Sequence, residues 1–182
     1  MPLKENVVKV KGRIDYPMVF KARSVNGSAP KFSATIILDK DDYDQIEICL
    51  KGIQSALDYG KERLGWSDTD IMSKKFRNPL RDGDEDKPGN EVYANASYIQ
   101  AYSAEDKPVV VVDAQRQPIT SPQEIQSGDE VWMVLRFYPF GKNDNLGIAV
   151  ALLGVQKIRS GERIAPRTEM GAEDMFDVLN EE

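Results

Sequence analysis

Between Glu130 and Phe140 an arginine and three aromatic residues fall on one parity: Trp132, Arg136, Tyr138 and Phe140, with Val134 among them. Residues of one parity share one face of a strand. Rings beside a cation on an exposed strand face suit nucleotides, whose bases stack on rings and whose phosphates a cation neutralises. The other parity, Val131, Met133, Leu135 and Phe137, is wholly apolar and reads as core. Aromatic and β-branched residues on a strand also pack beneath a helix or a second sheet, so the composition by itself fits a structural role as well.

Further cations recur at strand or loop spacing. Asn6 to Tyr16 alternates, with Val8, Val10 and Ile14 on one side and Lys9, Lys11 and Arg13 on the other. A basic strand face of this kind can track a phosphate backbone, or merely guard an edge strand against aggregation. Lys74, Lys75, Arg77 and Arg81 cluster around Phe76 in a stretch without sustained period, followed by Asp82, Asp84, Glu85 and Asp86. With Lys31, Tyr98 and Tyr102, these residues and Arg136, Tyr138 and Phe140 make up the candidate groove. In it the cations follow the backbone and Tyr98, Tyr102, Tyr138 and Phe140 offer faces to bases.

The net charge of −6 and pI near 4.9 conflict with such a groove until the charge is located. Residues 169–182 hold six acidic groups and no basic one, so residues 1–168 are neutral, with 24 of each sign. Residues 1–31 carry seven basic groups against two acidic ones. The body is neutral with a basic start, and the excess sits in the tail.

Histidine is absent, which removes the commonest general base and metal ligand and every Ser-His or Cys-His dyad. The expectation is a binding protein and not an enzyme, with no cofactor or metal. One cysteine, Cys49, cannot form an internal disulfide, and there is neither a leading signal segment nor a long apolar run. A cytoplasmic protein without a membrane partner is expected.

The elements that must position these groups follow from period and turn chemistry. Asn26 to Pro30 is a loop, and Lys31 to Leu38 a strand that turns Phe32, Ala34, Ile36 and Leu38 to the core. Asp42 and Gln45 are spaced for a capping box, and Ile46, Leu50, Ile53, Leu57 and Leu64 at helical spacing predict about six turns of amphipathic scaffold ending at Gly65. Residues 66–91 read as a long loop. Strand character returns from Val92 to Ser103, at Val109 to Val112 and from Glu130 to Ile158, where Phe140 to Gly147 forms a hairpin connection. Five or so strands with one helix inserted after the second describe a mainly β chain: a five-stranded barrel of the oligonucleotide/oligosaccharide-binding (OB) type, with a β-sandwich as the alternative. The division expected is a binding domain over 1–167 and an acidic C-terminal interaction tail over 168–182. The tail is too polar for regular structure, and in it Phe176, between Asp174 and Asp177, is an apolar anchor for a partner.

Several stretches, in order, resemble a known family: Pro30-Lys31-Phe32-Ser33-Ala34-Thr35-Ile36-Ile37-Leu38-Asp39-Lys40, Asn78-Pro79-Leu80-Arg81-Asp82-Gly83-Asp84, Gln100-Ala101-Tyr102-Ser103 and Arg136-Phe137-Tyr138-Pro139-Phe140, with Gly147-Ile148-Ala149 and Leu152-Leu153-Gly154-Val155-Gln156-Lys157. They are similar to the phage single-stranded DNA-binding proteins first filed as a family of unknown function. The resemblance implies an OB-fold that coats single-stranded DNA in phage replication, recombination or repair. It also implies a tail, here with Glu173, Asp174, Phe176, Asp177, Glu181 and Glu182, that contacts phage or host replication proteins (polymerase, helicase or recombinase) and competes for the groove. Tyr102 stands where the family leads one to expect a basic residue, and the chain ends in Asn180-Glu181-Glu182 where other single-strand binders end in Phe. A homodimer is left open.

Two other classes fit parts of the sequence. Glu85-Asp86-Lys87 and Glu105-Asp106-Lys107 have the acid-x-Lys spacing of metal-dependent nucleases. An acidic mimic of DNA would spread its acidity over the folded surface, against the neutral body found here.

Overall fold

The computed structural model describes residues 4–24, 26–142 and 145–164. In chain order the elements are β1 (Val7–Arg23), β2 (Lys31–Asp39), α1 (Tyr43–Leu64), α2 (Asp68–Met72), β3 (Arg81–Asp82), α3 (Gly83–Asp86), β4 (Ala96–Ala104), β5 (Val110–Val112), β6 (Glu130–Lys142) and β7 (Asn145–Arg159), with single 3-10 turns at Glu91–Tyr93 and Pro122–Glu124. The strands run in the order β3-β4-β2-β1-β6-β7-β5, and β4 pairs in parallel with β7. This pairing closes β4, β2, β1, β6 and β7 into a ring, leaving the short β3 and β5 outside it. The five-stranded barrel expected from the strand count is therefore the fold, and the sandwich is not.

Alternation decides the inside of the ring. Val131, Met133, Leu135 and Phe137 of β6 are all fully buried, as are Val10 and Ile14 of β1 and Ile36 of β2. Phe32 is core as expected, 8% exposed. Lys11, Trp132 and Gln156 are cross-strand partners on the other parity and face outward.

The helix ends at Gly65, whose φ of 69° lies in the left-handed region glycine tolerates. Its start differs from the reading above. Asp42 makes no side-chain cap, and Gln45 Oε1 accepts from the Lys11 backbone N–H at 2.7 Å, so the residue expected to cap the helix ties it to β1. The buried stripe also differs, consisting of Cys49, Gly52, Ile53, Ala56 and Gly60, while Leu50 and Leu64 are about half exposed. Small residues win this face because the barrel end brings large ones: a Cβ on Gly52 would lie 2.7 Å from the Phe137 ring, and one on Gly60 2.3 Å from Trp66. Burial pushes the Cys49 thiol up to about 12. Cys49 is expected to resist a thiol reagent at pH 8 until the chain unfolds, and labelling of the native protein at the rate of a free thiol would contradict this placement.

Residues 66–91 are not one long loop. They hold α2, with a complete Ser67–Asp70 capping box, then β3 and α3. The predicted strand from Val92 begins only at Ala96, because the Glu91–Tyr93 turn first folds over β4. The tail residues 168–182, expected to lack regular structure, lie outside the described residues. No described helix is long and apolar enough to cross a membrane.

Candidate nucleic-acid interface

Strand pairing sets the outer face in rows. Tyr102 of β4 lies beside Ala151 of β7, Ala151 beside Arg136 of β6, and Arg136 beside Val7 of β1. In the next rows Tyr138 pairs with Ala149 and Phe140 with Gly147. Along this stretch β7 thus contributes only Gly147, Ala149 and Ala151, small residues that leave a shallow floor between Tyr102 on one side and Arg136, Tyr138 and Phe140 on the other. Tyr102 is 47% and Tyr138 39% exposed, so both offer a ring face to solvent. Lys31 Nζ stands 5.9 Å from the Tyr102 ring centre and the Arg136 guanidinium 5.5 Å from that of Tyr138, within cation–π range.

The loop cations reach this floor through the backbone. The Arg77 N–H donates to the Leu146 carbonyl and the Ile148 N–H to the Arg77 carbonyl, both at 3.0 Å, so Arg77 is bridged to Gly147 beside Phe140. Phe76 holds the segment down by an edge-to-face contact with Trp66, 5.4 Å between centroids, contributing about 0.5–1.5 kcal/mol beyond its buried area. Lys74 and Lys75 are exposed on the turn just before it. The approach requires glycine at 147, where a Cβ would sit 2.6 Å from Arg77 Cβ and 2.7 Å from its carbonyl oxygen. Gly147→Ala is expected to push the Arg77 segment off β7 and weaken oligonucleotide binding about tenfold at a cost of 1–3 kcal/mol in stability. Binding titrations beside a denaturant melt would separate the two effects.

The cations of the candidate face differ in their pairing from several cations elsewhere on the barrel. Among the described residues, Lys9, Lys11, Lys31, Lys74, Lys75, Arg77 and Arg136 form no ion pair with a carboxylate, whereas Lys40, Lys61, Arg81, Lys157 and Arg159 do. Charges left unpaired by carboxylates are available to phosphates.

Five predicted residues are placed differently from the groove reading, or only partly in it. Tyr98 is 6% exposed: its ring packs edge-to-face on Tyr93, its hydroxyl donates to Asp86 at 2.8 Å, and Ile37 and Ala96 complete the cluster. Tyr98 shares a parity with Tyr102, but the 83–95 segment covers that end of β4, so no base can stack there in this conformation. Arg81 lies at the same covered end, with its Nε on Asp86 at 2.9 Å. That bond first, and then Tyr98, holds the Asp86 carboxyl below its usual range. Arg13 donates through Nη2 to the Glu162 carbonyl at 2.8 Å and so pins the segment after β7 in place of lining a groove. Lys9 and Lys11 do face outward, but over a ring the candidate set omits: Trp132, at 4.6 and 5.7 Å from its centroid. The parity of Trp132 with Arg136 and Tyr138 was the available signal.

A concavity of about 570 Å³ lies elsewhere, by Arg13 and Gly12. Asp39, Asp42, Glu91, Glu130 and Glu162 line it against two cations, the wrong sign for a polyanion.

The ring order and a face of exposed rings and unpaired cations define a barrel of the OB class. The chain matches the sequence profile of the family described as "Enterobacter phage Enc34, ssDNA-binding protein" over residues 5–182, and it belongs to that family. The structure of the single-stranded DNA-binding protein from bacteriophage Enc34 in complex with ssDNA superposes with a TM-score of 0.74 at 24% identity, covering 89% of this chain and 91% of that one. A second structure of the Enc34 protein gives a TM-score of 0.69 at 23% identity over 96% of this chain and 92% of that one. The single-stranded DNA-binding protein gp2.5 of bacteriophage T7 gives 0.56 at 14% identity, covering 91% and 98%. The family and these structural neighbours are single-stranded DNA-binding proteins. No curated protein sequence matches the chain.

Proposed function

We propose that this protein binds single-stranded DNA without regard to sequence and coats it during phage DNA replication, recombination or repair in the host cytoplasm. The observation that carries the reading is the outer barrel face, where exposed Tyr102 and Tyr138 flank a floor of Ala149 and Ala151 among cations that have no carboxylate partner. Stacking is indifferent to base identity because every base has a π-face. Membership of a family of single-stranded DNA-binding proteins supports the same reading. In this proposal residues 1–167 form the binding domain. Residues 168–182, with Phe176 as apolar anchor, recruit replication partners, and their six negative charges, carried on the same chain, compete with DNA.

A nuclease reading finds less support, since Asp86 of Glu85-Asp86-Lys87 is already committed to Arg81 and Tyr98. Fluorescence anisotropy of the full-length chain with labelled oligo-dT and with duplex of equal length, across a salt series, tests the proposal. Expected are tighter binding to the single strand and a log–log salt slope near −0.7 per phosphate neutralised. Equal affinity for the duplex sinks it. Removing residues 169–182 is expected to tighten binding, and unchanged affinity would remove the competitor role from the tail while leaving the barrel's role intact.

A further inference from the structure

The outer face of β6 does not end at Arg136. Four residues back, about 13 Å along the strand, Trp132 borders a second depression that opens away from Tyr102, toward β5. Its volume is about 380 Å³, and its walls are Trp132, Val134, Leu153, Val110 and Val112, with Lys9 and Arg116 at the rim.

Three features set it apart from incidental surface. The first is a bulge. Val134 pairs with Gly154 and Leu135 with Leu152, so Leu153 is the extra residue of β7 and is extruded, 38% exposed, beside Val110, which is 63% exposed. Apolar side chains grouped in this way on a surface mark a binding region more often than isolated ones do. The second is charge. No carboxylate lines the trough, and neither Lys9 nor Arg116 has an ion-pair partner among the described residues. The nearby Asp113 is occupied at its own turn, where its Oδ1 accepts from the Gln115 and Gln117 N–H groups. The third is the perch of Arg116. It adopts a φ of 64°, a left-handed conformation unfavourable for a side-chain-bearing residue, at the turn that follows β5.

We propose that this trough is a second nucleotide subsite, taking a base against Trp132 and its phosphate between Lys9 and Arg116 from the single strand running off the Tyr102–Phe140 face. The inference rests on the single-strand reading and extends it: the strand follows β6 lengthwise, so site size exceeds what the Tyr102 face alone accommodates. The trough's two cations without acid, and its continuity with that face along one strand, favour a polynucleotide over the body of a second copy, whose residues 1–168 carry 24 charges of each sign.

The test uses the full-length protein and oligo-dT of about 4 to about 16 nucleotides, the range one OB-type barrel spans. Trp66 is buried against Gly60, so quenching of tryptophan emission by DNA reports Trp132. Only the longer oligonucleotides are expected to quench, and Trp132→Phe is expected to abolish the quench with the fold kept. Arg116→Ala and, separately, Val110→Glu are expected to weaken the longer oligonucleotides about tenfold while leaving the shortest unchanged. Arg116→Ala should also reduce the salt slope by about 0.7. Wild-type affinity of both variants for the long oligonucleotides overturns the subsite while the main face stands. Quenching by a peptide of residues 169–182, with none by DNA, overturns it in favour of a peptide dock. If the unmutated chain binds no oligonucleotide at all, the function proposed above falls first.

Discussion

Tyr102→Ala is expected to weaken oligo-dT binding by about 5- to 140-fold, the equivalent of about 1–3 kcal/mol for one lost stacking platform. The effect should be nearly all binding. Nearly half of the Tyr102 side chain faces solvent, and it belongs to neither buried cluster, so its removal leaves no cavity. Tyr102→Phe should retain most of the affinity, since the π-face and the Lys31 ammonium above it remain. Tyr138→Ala should behave similarly, and the two losses should add only in part, because both rings serve one strand across the same Ala149–Ala151 floor. Tyr98→Ala is the contrast. It should lower stability by about 3 kcal/mol through the emptied Tyr93–Tyr98 cluster, in the range of large-to-small core changes. Titrations at fixed salt, with melts of each variant, distinguish the two tyrosines, and a Tyr102 variant with wild-type affinity would remove the central member of the proposed face.

A large effect on stability is expected at Gly12. This residue sits on β1 against β2: a Cβ there would lie 2.4 Å from the Ile37 carbonyl oxygen and 2.9 Å from side-chain atoms of both Ile36 and Leu38. Backbone oxygen cannot rotate away as a side chain would, so the ladder itself must open. Gly12→Val is expected to cost about 3 kcal/mol or more, the upper range for overpacking. That corresponds to a fall of about 6–12 °C in Tm for a chain of this size. Gly27, with no atom near its Cβ position, should show little steric penalty, although its φ of 76° still disfavours a side chain. Denaturant melts of the two glycine variants provide the comparison, and an unmoved midpoint for Gly12→Val would contradict the close β1–β2 crossing.

Much of the barrel was legible because the information is local. Period-two alternation in β6 separates Met133, Leu135 and Phe137 from Arg136 and Tyr138, and pleating then puts each set on its own face whatever the partners are. Gly65 could be recognised as a helix stop, since only its own backbone conformation is at issue. Gln45 could not be read correctly. Its spacing from Asp42 satisfies a capping box, but a backbone N–H 34 residues earlier in the chain competes for the same oxygen and wins. Likewise Leu50 keeps perfect helical spacing yet lies half exposed, because the barrel presents Phe137 to α1, and only a glycine leaves room for that ring.

The sequence alone determined that the chain is mainly β with one inserted helix, that its excess acidity resides in residues 169–182, and that one face of Glu130–Phe140 combines rings with a cation. Tertiary structure alone decided which of the tyrosines is exposed. Tyr98 and Tyr102 differ by four positions on one strand and share its parity, but the 83–95 segment folds back over the first and leaves the second bare. It also decided which cations are free, since Arg81 finds Asp86, Arg13 finds the Glu162 carbonyl, and Arg136 finds no carboxylate. Accessibility and charge pairing depend on what long-range packing lays over a residue, and no local spacing encodes that.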